Sequence, residues 1–186
     1  HALDRRQRQM CIRDRDSEVL SKKEKDSNGV YLIPAFSGLG PPFWIANARA
    51  AFFGISASTN NNHLVRAGLE SVAYQMVVYL EFMKKSRNLN LKNLSVDGGM
   101  VKNKFFLQLI SNLLEIELNI PEMEDMSSYG ALLFGMQYYH NLKNTSDLKD
   151  FKVKSSKIIP NIDDTIRNSF ISWKEIVDKH FVKNQD

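Results

Sequence analysis

The clearest indication of the fold comes from the stretch Leu94-Ser95-Val96-Asp97-Gly98-Gly99-Met100-Val101-Lys102-Asn103. Its first three residues are typical of a short strand, and a helical pattern of apolar residues follows over residues 104–114. Paired glycines between a strand and a helix let the backbone approach a phosphate or a ribose, because Gly98 and Gly99 carry no Cβ. The helix start adds unpaired N–H groups and the positive end of its dipole. A tight turn that binds no ligand is the alternative explanation of the glycine pair.

Strands and helices alternate along the rest of the chain. The apolar patterns predict strands at residues 30–33, 94–96, 115–120 and 157–160. They predict helices at residues 63–85, 104–114, 129–140 and, after a cap at Asp163 or Asp164, at the C-terminal end. This order predicts an α/β fold of packed layers.

Two local features of the helices can be predicted as well. In the long helix, apolar residues recur at spacings of three and four, so this side is expected to face the core: Val65, Leu69, Val72, Met76, Leu80 and Met83. Before the helix at residues 129–140, Ser127 and Ser128 are expected to supply the cap.

The composition excludes several classes of protein. The 186 residues carry a formal net charge of +4, but residues 1–30 hold eight of the Lys and Arg residues and no aromatic partner for bases falls within that cluster, which argues against a nucleic-acid binder. No apolar run approaches the roughly 18–20 residues of a membrane span. Cys11 is the only cysteine, so no internal disulfide can form, and a reducing, cytoplasmic location is expected.

Residues 1–27 differ from the rest of the chain. They show no sustained apolar period, and the segment from Asp4 to Arg15 reads like translated adapter sequence. We therefore expect residues 1–27 to form a disordered or artefactual tail and residues 28–186 to form the domain.

The sequence lacks a complete catalytic set of its own. The four histidines show no metal-ligand spacing, and the acidic residues Glu122, Glu124 and Asp125 are expected to form a solvated loop. Neither a Gly-x-Ser-x-Gly elbow nor a Walker phosphate loop occurs. No catalytic residue and no metal ligand is therefore assigned to this chain.

Several longer motifs occur in a fixed order. The first is Asn28-Gly29-Val30-Tyr31-Leu32-Ile33-Pro34-Ala35-Phe36-Ser37-Gly38-Leu39-Gly40-Pro41-Pro42-Phe43-Trp44, and the second joins Thr59-Asn60 and His63 to Leu69-Glu70-Ser71-Val72-Ala73-Tyr74-Gln75. The third is Val96-Asp97-Gly98-Gly99-Met100 with Asn103-Lys104. Together they resemble the C-terminal domain of the FGGY family of carbohydrate kinases, and the glycerol-phosphorylating members most closely.

The resemblance implies a fold, a ligand and a site. The fold would be the C-terminal lobe of an actin-like, ribonuclease H-like ATPase. ATP with magnesium would lie mainly against this lobe. Gly98 and Gly99 would let the main chain approach the nucleotide, Asn103 would hydrogen-bond it, and the segment from Ser127 to Ala131 would open a helix near the adenine.

The resemblance also implies what lies elsewhere. Glycerol would bind through the N-terminal lobe, and the carboxylate that takes the hydroxyl proton would belong to a Gly-Asp-Gln segment upstream. The complete protein would be a homo-oligomer. Two alternatives stay open: a kinase for another polyol or sugar of the family, or a non-catalytic nucleotide-binding lobe. The sequence departs from the family pattern at Ile45, Ala46, Ala50 and Gly135. Of these, Ile45 and the one-residue shift at Gly135 slightly favour the second alternative.

A prediction follows for the chain by itself. Because the base and the glycerol site are expected upstream, the 186-residue chain should phosphorylate no glycerol above background when ADP release is followed in a coupled assay. Glycerol-dependent turnover by this chain would contradict the expectation that the base and the glycerol site lie upstream.

Overall fold

The computed structural model describes residues 16–123, 125–148 and 153–183. Its strands are β1 (Tyr31–Ile33), β2 (Ala51–Phe53), β3 (Asn93–Ser95), β4 (Glu117–Pro121) and β5 (Ser155–Ile158). Its α-helices are α1 (Asn61–Ser86), α2 (Lys104–Leu114), α3 (Met126–Tyr139) and α4 (Asp164–Val177), and residues 16–21 are also helical. Shorter helical turns span Gly99–Lys102 and Thr145–Asp147, and a π-helical turn, Asp178–Val182, continues α4.

The strands form two small sheets. In one sheet β1 and β2 pair antiparallel, and in the other the order is β3-β4-β5. The pair β3 and β4 is parallel, with Leu94 opposite Leu118, whereas β5 runs antiparallel to β4. The connection from β3 to its parallel neighbour passes through α2, as parallel pairing requires. The predicted alternation of strands and helices is thus confirmed, with boundaries shifted by a few residues.

Helix α1 lies between two hydrophobic clusters. The first cluster joins β1, the following loop, α1 and α4, and includes Ile33, Tyr74, Val77, Phe170 and Trp173. The second joins α1, α2 and the larger sheet, and includes Ala73, Phe106, Leu107, Ile110 and Leu118. Because the neighbouring residues Ala73 and Tyr74 belong to different clusters, α1 is buried on more than one side.

Trp173 connects the two ends of the domain within the first cluster. Its indole Nε1 donates a hydrogen bond of 2.8 Å to the carbonyl oxygen of Leu32, across 141 positions of sequence. The indole is fully buried, and its ring centroid lies 5.8 Å from that of Tyr74. A buried indole N–H needs such a partner, so this bond fixes α4 on β1.

The prediction of which side of α1 is buried is wrong in part. Val72 and Met76 are 42% and 39% exposed. The buried residues instead include the charged pair Arg66 and Glu70, whose Nε and Oε1 atoms lie 2.8 Å apart, together with Tyr74. Two opposite charges four positions apart neutralise each other, which permits burial that a pattern of apolar residues cannot reveal.

Residues 16–27 also differ from the expected tail, whose residues 1–15 lie outside the described part of the chain. Ser21 and Ser27 are buried, and Nη1 of Arg66 donates to the carbonyl oxygens of Ser21 (3.0 Å) and Glu24 (2.8 Å). Hydrogen bonds from Asn60 and Asn62 hold the pKa of the Glu24 carboxyl below its usual value. These polar contacts fix a segment that carries few apolar residues.

In residues 16–123, 125–148 and 153–183, no helix combines the length and the apolar character that crossing a membrane requires.

The buried guanidinium of Arg66 generates a stability prediction. In Arg66→Met, burial keeps raising the pKa of the Glu70 carboxyl but the opposing cation is gone, so the free energy of unfolding should fall by about 3–5 kcal/mol. The double variant Arg66→Met/Glu70→Leu should lose much less, because no unpaired charge remains buried. Urea unfolding of the three proteins checks both values.

The same variants test the attachment of residues 16–27. Trypsin should cleave after Lys22, Lys23 or Lys25 faster in either Arg66 variant than in the native chain, because the bonds to Ser21 and Glu24 are lost. Equal cleavage rates in native and variant proteins would show that Arg66 does not hold this segment.

Candidate functional site

The turn between β3 and α2 is shaped by one glycine. After β3, the N–H of Val96 still bonds to the carbonyl oxygen of Asn119 at 3.0 Å, so the parallel ladder reaches the start of the turn. Gly98 then adopts φ +107° and ψ 180°, a conformation that L residues rarely take. The helical turn Gly99–Lys102 follows at once, and Val101 N–H bonds back to Gly98 at 3.2 Å.

The side of this turn that faces solvent, here called its upper side, is open; the side that faces the second hydrophobic cluster is called its lower side. Asp97, Gly98 and Gly99 are exposed, and a Cβ added at Gly98 or Gly99 would meet no atom within 4 Å. On the lower side, Met100 and Val101 pack against the second hydrophobic cluster. The backbone of the turn is therefore fixed from below and accessible from above, which is the geometry a ligand approaching the main chain requires.

Asn103 is the N-cap residue immediately before helix α2, and its side-chain amide is only half satisfied by hydrogen bonds. Its Oδ1 accepts the N–H of Phe106 at 3.0 Å, an N-cap contact that also fixes which side of the amide carries the oxygen. The residue is only 6% exposed, and its Nδ2 has no hydrogen-bond partner among the described residues. A buried amide donor without a partner is costly and is expected where a ligand supplies the missing acceptor.

The surroundings of Asn103 favour an anion. The N-terminus of α2 contributes the positive end of its dipole, and its first turn contains no acidic residue. Lys102 and Lys104 flank Asn103 in the sequence, and both are exposed.

The structure adds a supporting contact that the sequence did not indicate. The guanidinium of Arg66 lies 4.8 Å from the ring centroid of Phe105, the second residue of α2. Arg66 therefore connects the N-terminal segment, Glu70 and the helix that starts at Asn103. The only sequence signal was the spacing of Arg66 and Glu70, because Phe105 lies 39 positions further along the chain.

The other predicted features are placed as follows. Helix α3 is capped by Asp125, whose Oδ1 accepts the N–H of Ser128 at 2.9 Å, and the prediction of a serine cap is wrong. The serine instead supports the cap, because the Ser128 hydroxyl, ahead of its N–H, holds the pKa of the Asp125 carboxyl below its usual value. Glu124 lies outside the described residues. No group of three or more potential metal ligands occurs in the part of the chain that the structure describes.

The fold and the turn together define a lobe of the actin-like ATPase class. A family model described as the C-terminal domain of the FGGY family of carbohydrate kinases matches residues 2–138. The chain belongs to this family. The resemblance seen in the sequence motifs and the expected α/β fold are thereby confirmed.

Individual relatives agree with this assignment. The chain is 39% identical to a glycerol kinase of Salmonella arizonae over 165 residues. The aligned region covers 88% of the chain and 33% of that relative. A glycerol kinase of Citrobacter koseri is 39% identical over 163 residues, or 87% of the chain and 32% of the relative. The chain thus spans about a third of the length of the curated relatives it matches.

Solved structures show the same fold. A Plasmodium falciparum glycerol kinase with ADP superimposes with a TM-score of 0.79 at 26% identity, over 90% of this chain and 34% of that one. A ligand-bound xylulose kinase from Lactobacillus acidophilus gives a TM-score of 0.78 over 92% of this chain and 36% of that one. Its identity is only 19%, so this second likeness concerns the fold alone.

The cap at Asn103 generates a stability prediction. Asn103→Ala removes the acceptor for the Phe106 N–H and should lower the free energy of unfolding by about 1 kcal/mol. Asn103→Asp keeps an acceptor beside the positive helix end and should be less destabilising. Urea unfolding measures both, and an Ala variant as stable as the native chain would contradict the capping role.

Proposed function

We propose that the chain is the nucleotide-binding, C-terminal part of an ATP-dependent glycerol kinase. The observation that carries the proposal is the buried, unpartnered Nδ2 of Asn103 beside the exposed Gly98 and Gly99. The 39% identity to glycerol kinases supports the choice of reaction. The ADP named with the Plasmodium falciparum relative supports the choice of ligand.

The proposed contacts use the chemistry of each residue. The main chain at Gly99 approaches the nucleotide, because no Cβ holds the ligand away and no described atom lies within 4 Å of the position a Cβ would take. The amide Nδ2 of Asn103 donates a hydrogen bond to it. The α2 dipole and the nearby lysines favour its negative charge.

The proposed reaction is phosphoryl transfer. A terminal hydroxyl oxygen of glycerol attacks the γ-phosphorus of ATP, the bond to the ADP oxygen breaks, and a carboxylate accepts the hydroxyl proton. We place that carboxylate and the glycerol site in the part of the protein that corresponds to the remaining two thirds of the relatives. Magnesium is proposed to arrive with the phosphates of the nucleotide and to neutralise their developing charge.

The two alternative functions, a kinase for another sugar and a non-catalytic lobe, have less support. A kinase for another sugar of the family is supported here only by a shared fold at 19% identity. A non-catalytic lobe is favoured only by the departures at Ile45 and Gly135. An aspartate in a Gly-Asp-Gln context in the reading frame upstream would count against the non-catalytic lobe. We also propose that the complete enzyme is cytoplasmic, in keeping with the single cysteine of the sequence. We propose in addition that it is a homo-oligomer.

A chimaera tests the proposal. In it, the chain replaces the matched segment of the Salmonella arizonae glycerol kinase, whose remaining part supplies the rest of the active site. We expect glycerol phosphorylation by ATP. A folded chimaera without activity would favour the non-catalytic lobe.

In that chimaera, Gly99→Val should raise the KM for ATP about tenfold or more, equivalent to about 1.4 kcal/mol of binding, and leave the KM for glycerol unchanged. A Cβ added at Gly99 meets no described atom within 4 Å, so a folding defect is not expected. Gly40→Val is the matched control, because Gly40 is also exposed and also free of neighbours. An unchanged KM for ATP in folded Gly99→Val would remove the role assigned to the turn.

A further inference from the structure

Helix α3 carries large apolar side chains that contact little of the described chain. Leu132, Phe134, Tyr138 and Tyr139 are 52%, 69%, 87% and 79% exposed, and no residue of the helix is buried. A groove of about 300 Å³ lies beside its C-terminal half, lined by Phe134, Gln137, Tyr138, Asn141 and Leu142.

The helix is nevertheless well formed at both ends. Asp125 caps its start, and Nε2 of Gln137 donates to the carbonyl oxygens of Leu142 (3.2 Å) and Lys143 (2.9 Å) in the connection that follows. Local hydrogen bonds therefore define the helix, while its apolar surface has no counterpart in the described residues.

The exposed side chains lie on two opposite faces of α3. Leu132 and Tyr139 are one heptad apart and share a face, because each residue turns the helix by about 100°. Phe134 and Tyr138 lie about 200° and 240° around the helix axis from Leu132, on the opposite face. A helix that is apolar on all sides is normally buried within a core. A two-fold contact with a second copy of the chain would cover one self-complementary patch and leave the opposite face in water.

The larger sheet also has open outer edges in the described part of the chain, and one of them belongs to β3. Its order is β3-β4-β5, so within the described residues the outer edge of β3 has no strand partner. Asn93 and Ser95 of this strand are exposed. An open edge of this kind is a template for another strand.

We propose that the apolar surface of α3, formed by Leu132, Phe134, Tyr138 and Tyr139, packs against the part of the protein that corresponds to the other two thirds of the relatives. The chain covers only 33% of the Salmonella arizonae glycerol kinase, so a polypeptide of sufficient size exists in that family member. Such a partner can cover both faces of α3 and add a strand beside β3. This interface uses none of the residues assigned above to the nucleotide, Gly98, Gly99 and Asn103, and its four side chains lie beyond residues 127–131 at the start of the same helix.

Hydroxyl-radical footprinting tests the interface without any need for activity. The labelling rates of Leu132, Phe134 and Tyr138 are measured in the 186-residue chain and in the chimaera, each normalised to the same peptide in urea. We expect high rates in the chain and several-fold protection in the chimaera, with the same protection at every concentration as light scattering follows the number of copies in each particle.

Two results would overturn the proposal. One is equal labelling in the chain and the chimaera. The other is protection that appears in the chain alone as its concentration rises, which would identify a second copy as the occupant. Should the chimaera not fold, residues 126–142 alone are exchanged into the intact relative, and the same labelling is read there.

Matched variants give a second readout. Tyr138→Ser should leave the urea midpoint of the chain unchanged, because the side chain is exposed there, and should lower the midpoint of the chimaera. Lys143→Ser, at an exposed polar position just beyond the helix, is the control that should change neither. A Tyr138→Ser effect that is equal in both proteins would contradict the interface.

Discussion

The burial of helix α1 on more than one side is the constraint on which the rest of the structure depends. Tyr74 meets Trp173 in one cluster, and the adjacent Ala73 meets α2 in the other. Each cluster packs α1 against other elements, so each cluster helps to fix the position that the helix takes in the other cluster. The first cluster joins β1 to α4, the second supports the larger sheet, and the turn at Gly98 stands where β3 of that sheet passes into α2. The position of the proposed nucleotide site therefore follows from the packing of a helix that supports the site through Arg66 but supplies none of the proposed nucleotide contacts.

The proposed nucleotide site combines a backbone that is fixed on its inner side with an exposed outer side. The second cluster holds Met100 and Val101, the cap at Asn103 fixes the first turn of α2, and Arg66 lies against Phe105. A donor held in this way loses little freedom when it binds a ligand, so more of the interaction energy is retained as affinity. The cost is that the buried amide donor of Asn103 has no hydrogen-bond partner in the described structure.

The parts of the fold that sequence could predict are those set by neighbouring residues. The strand, glycine and helix order around Gly98 is local, and so is the cap at Asn103. The burial of Arg66 was not predictable, because its partners Ser21 and Phe105 lie far away in sequence. The exposure of Val72 and Met76 on the expected inner side of α1 was not predictable either, because the pattern of apolar residues is that of a core helix. The family motifs indicated Asn103 as a ligand contact, whereas only the structure shows its unpaired amide.

The most direct test of the central claim follows the side-chain amide of Asn103 by NMR. In the ¹⁵N-labelled chain, its resonance is assigned by its loss in Asn103→Asp and then followed during titration with magnesium ADP. The account predicts a saturable shift of this amide and of the Gly99 N–H, while the side-chain amide of Asn62, already bonded to Glu24, stays in place. Resonances of Asn103 and Gly99 that do not move at saturating ADP would contradict the account.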